Sequence, residues 1–216
     1  MGAQAYWNDL TYWPATVKYE ETGGEPTGVV EEYSAPTGEN IAESVASGIW
    51  KYRYSNAKTA DFYDMEAGSD GVHYKSPTYS GKFDSARIED LWGNKVLYLI
   101  PGYEDAAITF VSPYNGTAVI NAATVTRHYA ENDGSGGAQN ADIAISRNGT
   151  KIWPEDGWYT LSDTNGNTAA VPEITGIKLK KGDTLNFTVS MADGAYWNDF
   201  MRWDPSLSLA VEEEVE

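Results

Sequence analysis

Residues 108–120 read ITFVSPYNGTAVI and residues 143–153 read IAISRNGTKIW, and these two stretches decide the fold. In each of them, alternating apolar residues lead to an Asn-Gly pair, at 115–116 and at 148–149, and a second short apolar run follows. Asn-Gly accepts the positive φ angles that a type I′ turn requires. Both stretches therefore predict a β-hairpin.

The rest of the chain continues this pattern of short alternating segments. Trp50, Tyr52 and Tyr54 alternate with polar residues, and residues 184–190 (TLNFTVS) and 206–211 (SLSLAV) have the same period of two. Turns that contain Gly, Pro or Asn separate these segments. Many short strands with such turns predict an all-β fold, an antiparallel two-sheet jelly-roll β-sandwich.

Few segments depart from this pattern. Residues 174–179 (ITGIKL) predict a further strand, whereas only residues 40–45 and 85–91 could carry a helical turn. The sequence therefore predicts very little helix.

One segment of the chain occurs twice. The residues AYWND at 5–9 recur at 195–199, an offset of 195 − 5 = 190 residues, and Trp13 recurs as Trp203 at the same offset. A self-match at fixed spacing is typical of tandem arrays. We therefore expect residues 1–20 to be the last strand of a preceding module. The alternative is two similar strands within one domain.

The duplication sets the expected domain boundaries. Residues 21–28 (ETGGEPTG) are rich in Gly, Pro and acid and predict a linker. Residues 29–211 would form one complete sandwich, and residues 212–216 an acidic tail. Because a strand without its module would leave apolar side chains in water, we expect residues 5–19 to pair as a β-strand. Pairing within the molecule is favoured over pairing with a neighbour.

The net charge of the chain limits the classes of partner that it can bind. Its 216 residues include 15 Lys and Arg against 32 Asp and Glu, which gives a net charge of −17. Such a surface repels a phosphate backbone and an anionic membrane, so no nucleic acid partner is expected. No apolar run approaches the roughly 20 residues that span a bilayer, so no membrane insertion is expected. With no cysteine there is no disulfide and no thiolate chemistry.

The aromatic residues favour binding or a rich core. The chain has 8 Trp and 15 Tyr but only 5 Phe, so its aromatic side chains mostly carry a polar tip. Such side chains are enriched at binding surfaces. Sugar rings present C–H faces that pack on flat aromatic rings, with hydroxyl groups at their rim. An aromatic-rich sandwich core explains the same composition.

Several motifs, taken in order, resemble a known family of modules. They are WKYRY at 50–54, IPG at 100–102, AITFVSPYNGT at 107–117, ISRNGTKIWP at 145–154, KGDTLNFTV at 181–189 and DFMRWDP at 199–205. Together they resemble the bacterial jelly-roll β-sandwich modules of the carbohydrate-binding or galactose-binding-like type found in carbohydrate-active enzymes. The resemblance covers roughly residues 29–210 and implies one module of a large extracellular protein. It also implies that Trp50, Tyr52, Tyr54 and Trp203 are framework residues of the core.

Aromatic residues outside this framework are the candidates for ligand contact. Trp92 precedes a Gly-Asn pair, and Trp158 and Tyr159 follow a Pro-Glu-Asp-Gly turn that contains Asp156. We predict that Trp92, Trp158, Tyr159 and Asp156 bind the ligand, and the alternative is that they only pack their loops. Trp153 fits either role.

No motif indicates catalysis. His73 and His128 lie in unrelated segments, so they predict neither a catalytic triad nor a metal cage. The chain has no phosphate-binding loop, no dinucleotide fingerprint and no HExxH. A glycosidase needs two carboxylates about 5–10 Å apart, and an abundance of acids does not indicate such a pair. We therefore expect no enzyme, no catalytic residue and no cofactor.

A structural Ca²⁺ is the one ion that the sequence leaves open. Residues 132–134 (NDG) with Asp142, or Asp199 with Asp204, could supply oxygen ligands. Neither set has EF-hand spacing, and solvated acids are the alternative. The metal site therefore stays unassigned.

These observations lead to one expected function and one main alternative. The expectation is a non-catalytic carbohydrate-binding module of a multimodular bacterial protein, secreted or on the cell surface. Its partners would be a polysaccharide or glycan and the neighbouring modules of the same polypeptide. The alternative is a structural spacer or adhesin repeat with no glycan site, and a glycoside hydrolase is a distant third.

Overall fold

The computed structural model describes residues 29–36, 45–68, 73–77, 87–90, 97–129, 140–162, 166–191 and 200–212. In chain order the strands are β1 (Val30–Ser34), β2 (Trp50–Asn56), β3 (Phe62–Asp64), β4 (Glu66–Ala67), β5 (Tyr74–Lys75), β6 (Arg87–Asp90), β7 (Leu97–Ile100), β8 (Glu104–Val111), β9 (Gly116–Ile120), β10 (Ala123–Tyr129), β11 (Ala141–Arg147), β12 (Thr150–Trp153), β13 (Tyr159–Leu161), β14 (Thr168–Val171), β15 (Ile174–Leu179), β16 (Thr184–Met191), β17 (Phe200–Arg202) and β18 (Ser206–Val211). No helix in these ranges combines the length and the apolar character that a membrane crossing requires.

The strands form three hydrogen-bonded sheets with antiparallel pairing. One seven-stranded sheet, here called the front sheet, has the order β12-β11-β16-β8-β2-β3, with β13 also paired to β11. A second seven-stranded sheet has the order β14-β10-β17-β7-β6-β5-β4, and a four-stranded sheet has the order β1-β18-β9-β15.

The second seven-stranded sheet and the four-stranded sheet are two halves of one layer, here called the back layer. The chain runs from β9 directly into β10, from β14 into β15 and from β17 into β18. In the four-stranded sheet β9 lies between β18 and β15, and in the seven-stranded sheet β10 lies between β17 and β14, so the three strands continue side by side from one sheet into the other. Pro172 and Pro205 lie where the pairing is interrupted, and proline has no N–H to donate to a ladder. The molecule is therefore a two-layer antiparallel jelly-roll sandwich, as the sequence predicts.

The core lies between the front sheet and the back layer. Trp50 and Tyr52 of β2 are 3% and 2% exposed, and Trp203, which follows β17, is 1% exposed. Phe187 of β16 contacts Trp203 edge-on, with ring centroids 5.5 Å apart. Burying each large side chain stabilises the fold by about 1.5–3 kcal/mol. The predicted framework role of these residues is confirmed, with Tyr54 packed against the core at its half-buried margin.

Only one of the two predicted hairpins forms. β11 and β12 pair through the turn at Asn148 and Gly149, whose φ angles are +49° and +79°. The other prediction is wrong, because β8 pairs with β16 and β2 in the front sheet whereas β9 pairs with β15 and β18 in the back layer. Residues 112–115 therefore cross between the layers. Gly116 allows the end of this crossing to pack closely against β18, since a Cβ at this position would lie 2.3 Å from the carbonyl oxygen of Ala210.

Residues 85–91 could carry a helical turn by their sequence, but their described part does not form one. Arg87–Asp90 forms β6, which pairs with β5 on one side and β7 on the other. Pairing with neighbouring strands overrides the local preference of such a short segment. The other expected turn, at residues 40–45, falls outside the described residues except for Val45. Residues 1–28 also lie outside them, so the preceding module and the linker stay predictions.

Candidate functional site

The front sheet has a polar outer face that is nearly closed to solvent. Side chains alternate along a strand, so in β8 Ile108 and Phe110 enter the core while Asp105 and Thr109 point away from it. Asp105 and Thr109 are nevertheless only 1% and 0% exposed. Other parts of the chain therefore cover this outer face, which we call the polar face.

Two rows of hydrogen-bonding side chains cross the polar face. The first row comprises Ser55, Asp105, Ser190, Asp142 and Thr160. The second comprises Lys51, Thr109, Asn186, Ser146 and Lys151. In the second row, Thr109 donates to Asn186 Oδ1 at 2.8 Å, and Asn186 Nδ2 donates to Ser146 Oγ at 3.2 Å. Between the rows lie the short side chains of Ala107, Thr188 and Ala144, so the middle of the face is hollow.

Lys58 fastens a loop over the first row. Its backbone N–H donates to Asp105 Oδ2 at 2.7 Å, and its Nζ donates to Asp142 Oδ2 at 2.6 Å. Thr160 Oγ1 donates to the other oxygen, Asp142 Oδ1, at 2.6 Å. Lys58 has a φ of +58°, a conformation that costs a non-glycine residue about 1 kcal/mol. These hydrogen bonds hold residues 57–61, which we call the strap, against the sheet.

Burial controls the ionisation of Asp105. Removal from water raises the pKa of this carboxyl to about 6, because desolvation disfavours the charged form. Hydrogen bonds from Ser190, from the Lys58 N–H and from Ser55 oppose the rise. Asp105 is therefore a structural anchor of the strap whose charge changes near neutral pH.

A groove of about 240 Å³ lies between the strap and the hollow middle of the polar face. Thr188, Ala144 and Ser146 form its floor, and Lys58 and Trp158 line its sides. The Lys58 ammonium lies 5.7 Å from the centre of the Trp158 ring, within range of a cation–π interaction. The groove thus places two aromatic rings, of Trp158 and Phe62, two lysines and several hydroxyl groups around one small space.

The β11–β12 hairpin turn closes over the groove from the other side. A Cβ at Gly149 would lie 2.9 Å from the carbonyl oxygen of Ala60 and 3.0 Å from its Cβ, so the turn and the strap are in tight contact. This contact explains part of the burial of the polar face. It also fixes the position of Lys151, which lines the groove just after the turn.

The structure brings one of the four predicted ligand-binding residues to the groove. Trp158 lines it, whereas Tyr159 faces the core side of the front sheet, where its ring stacks on Trp153 at 5.6 Å. Tyr159 is 40% exposed there. Asp156 is exposed in the turn between β12 and β13 and does not line the groove. Trp92 lies outside the described residues.

Lys58, Asp142 and Thr188 lie at the groove or its strap but belong to no motif that predicts ligand binding. Asp142 was considered only as a calcium ligand. Two of the three alternate with apolar residues along their strands, in ADIAISR and TLNFTVSM, so the sequence indicates an outward polar row. Nothing near Lys58 in sequence indicates that its ammonium reaches a residue 84 positions away.

Other partners occupy the predicted calcium ligands that the structure describes. Asp142 binds Lys58 and Thr160, and Asp204 pairs with Arg202 at 3.0 Å. Across the described part of the chain, no group of three or more acidic or histidine side chains could hold a metal ion. Residues 132–134 and Asp199 fall outside that part, so a calcium site there stays a prediction.

The described part of the polar face carries three carboxylates, Asp64, Asp105 and Asp142. Asp64 lies at the edge and pairs with Lys51 and Arg53. Asp105 and Asp142 are 1% and 5% exposed. Asp105 Oδ2 accepts hydrogen bonds from Ser55 and the strap, and both oxygens of Asp142 accept hydrogen bonds. None of the three lines the groove. The arrangement supplies hydrogen bonds and an aromatic surface to a ligand.

No protein-family model and no curated protein sequence matches this chain. Several solved structures, among them the following two, are similar to parts of it. One is the carbohydrate-binding module CBM35 from Paenibacillus barcinonensis, with 15% identity and a TM-score of 0.32 over 63% of this chain and 98% of that chain. The other is the arabinose-bound MgGH51 α-L-arabinofuranosidase, with 10% identity and a TM-score of 0.35 over 79% of this chain. The similarity spans only 28% of the length of the arabinofuranosidase.

Proposed function

We propose that this chain is a non-catalytic carbohydrate-binding module that holds one sugar unit of a glycan in the groove beside Trp158. The observation that carries the proposal is the convergence of an indole ring, two lysines and hydroxyl groups around about 240 Å³ on the outer face of the front sheet. The module would belong to a secreted or cell-surface bacterial protein with further modules in the same polypeptide.

The groove offers the two kinds of contact that a sugar needs. The Trp158 ring can pack on the C–H face of a pyranose, and aromatic side chains contribute large apolar area at low cost in conformational entropy. Lys58, Ser146 and Thr188 can exchange hydrogen bonds with the ring hydroxyls. Lys58 is already fixed by Asp142, so ligand binding would not have to immobilise its side chain.

Substitution of Trp158 tests this function. In affinity electrophoresis through gels that contain plant polysaccharides, the natural protein should be retarded by at least one of them. Trp158→Ala should bind that polysaccharide at least about tenfold more weakly, because the substitution removes the contact with the indole ring. Tyr63→Ala is the matched control, since Tyr63 is 50% exposed on β3 and does not line the groove. It should be retarded like the natural protein.

Two other outcomes are informative. If Tyr159→Ala or Asp156→Asn also weakens retention, the predicted contacts of these two residues with the glycan are confirmed. If no polysaccharide retards the natural protein and a glycan array is also negative, the proposed function is wrong and the spacer or adhesin alternative is favoured.

A further inference from the structure

A second groove, of about 340 Å³, lies where the chain crosses between the two layers. It lies beside Asn115, which belongs to that crossing, and is bordered by β15 and the end of β18. Three of its seven lining residues are basic, namely Arg147, Lys178 and Lys180, and one, Glu212, is acidic. We call it the basic groove.

The charge of the basic groove is opposite to that of the whole chain. Acidic residues outnumber basic ones by 32 to 15 in the sequence, yet they are outnumbered three to one in this lining. Clustered positive charge on an otherwise negative surface concentrates anionic ligands locally.

The two lysines of the groove retain unused binding capacity, whereas Arg147 is already paired with Asp183. Lys178 Nζ donates to Thr117 Oγ1 at 2.7 Å and lies 3.6 Å from Glu212 Oε1, and its side chain is 70% exposed. Arg147 binds Asp183 through Nη2 at 3.0 Å, while its buried Nε donates to no group that the structure describes. Among the described residues, Lys180 has no ion pair.

The backbone beneath these side chains is fixed by hydrogen bonds. The Lys181 N–H donates to Asn115 Oδ1, and the Glu212 N–H donates to the Asn115 carbonyl, both at 2.9 Å. The Gly182 N–H donates to the Ser112 carbonyl at 2.8 Å. The β15–β16 turn, the crossing and the end of β18 therefore hold in place the backbone that carries Lys178 and Lys180, and the ion pair with Asp183 holds Arg147.

We propose that the basic groove is a second ligand site, which binds an oxyanion, a carboxylate or a sulfate, carried by a glycan. That the oxyanion is on a glycan rests on the proposed function. The Arg147 guanidinium would supply directional N–H donors, and Lys178 and Lys180 would supply compact positive charges. A neutral sugar can accept hydrogen bonds from these groups, but only an oxyanion also gains the attraction between opposite charges, so this site favours acidic glycans.

Calorimetry with matched oligosaccharides tests the site. The probes are an oligogalacturonate, a sulfated galactan oligosaccharide and a neutral galacto-oligosaccharide of equal length. We expect at least one anionic probe to bind more tightly than the neutral one and to weaken as salt is raised, because salt screens exposed charges. Comparison of the two anionic probes identifies the source of the oxyanion.

Three variants separate the site from a general effect of charge. Lys178→Gln with Lys180→Gln should weaken binding of the anionic probe by about fivefold. Arg202→Gln removes one positive charge from an exposed pair with Asp204 and should change binding by less than about twofold. Glu212→Gln should strengthen binding by about threefold, because it removes the acid that competes for Lys178. A gain of affinity cannot come from unfolding.

The proposal is overturned if the neutral probe binds as tightly as both anionic probes, if the double lysine variant binds normally, or if Glu212→Gln weakens binding. A failure of the proposed function of the Trp158 groove would give a different set of results. Trp158→Ala would then leave polysaccharide retention unchanged while the lysine variants still lose the anionic probe.

Discussion

Asp105 gives the stability of the fold a pH dependence with a definite sign. Burial raises the pKa of this carboxyl to about 6, above the roughly 3.9 of an unfolded chain, so the folded state binds the proton more tightly. The resulting stabilisation is fully present below about pH 4 and is lost as the pH rises through about 6. Asp105 therefore makes the folded protein less stable at neutral pH than at pH 4.

Asp105→Asn should remove this dependence. We expect the variant to exceed the natural protein by about 1–3 kcal/mol in free energy of unfolding at pH 8, since it avoids burying a charge. The difference should shrink towards pH 4. Denaturant unfolding at several pH values measures both.

Asp64→Asn is the control, because ion pairs with Lys51 and Arg53 hold the pKa of Asp64 below its usual value despite its partial burial. Asp64→Asn should leave unchanged the slope of the free energy of unfolding against pH between pH 4 and 6. If Asp105→Asn also keeps the slope of the natural protein, Asp105 is not its cause.

Gly116 is required by the approach of β18. A Cβ there would meet the Ala210 carbonyl oxygen at 2.3 Å, which is backbone and cannot turn away. Gly116→Ala should therefore destabilise the fold by about 2–4 kcal/mol. Gly176→Ala is the matched control, because its φ is +72° but nothing lies within 4 Å of the added Cβ. It should cost only about 1 kcal/mol of backbone strain. Equal unfolding midpoints for the two variants would show that β18 can move.

At the scale of single elements, the sequence predicts strands better than it predicts their partners. The alternation in TLNFTVS and SLSLAV identifies β16 and β18 correctly, because period-two burial is a local property. Two Asn-Gly pairs look alike in sequence, yet one turns a hairpin and the other begins a strand of the opposite layer. That difference depends on which distant strands lie alongside, and a dipeptide contains no information about them.

The groove shows the same division between local and distant information. The loop position of Trp158 is visible in the sequence, because it follows a turn signal and departs from the strand pattern. Its neighbour Lys58 is one hundred residues earlier and meets it only because β2 and β11 belong to the same sheet. Tyr159 is adjacent to Trp158 in sequence, but alternation along β13 turns it to the opposite face.

At the scale of the whole molecule, the position of β17 and β18 gives the duplicated segment a structural meaning. Trp203, Leu207 and Leu209 are 1%, 0% and 0% exposed, and β18 lies between β1 and β9. At an offset of 190 residues their counterparts are Trp13, Val17 and Tyr19, which are all apolar or aromatic. The core-facing positions therefore recur together in the first copy. This pattern supports the proposal that residues 1–20 are the last strand of another sandwich.

Deletion of the two copies should then have unequal effects. Removal of residues 1–20 should leave a folded sandwich with a somewhat lower free energy of unfolding and unchanged retention by polysaccharide, because the groove and the core that the structure describes lie within residues 29–212. Removal of residues 200–212 should abolish folding, since it takes Trp203, Leu207 and Leu209 out of the core. Each such loss costs about 2–5 kcal/mol, comparable with the whole stability of a domain. Circular dichroism and thermal unfolding of the two truncated chains measure the contrast. If the N-terminal deletion also abolishes folding, residues 1–20 belong to this sandwich and the tandem-array interpretation is wrong.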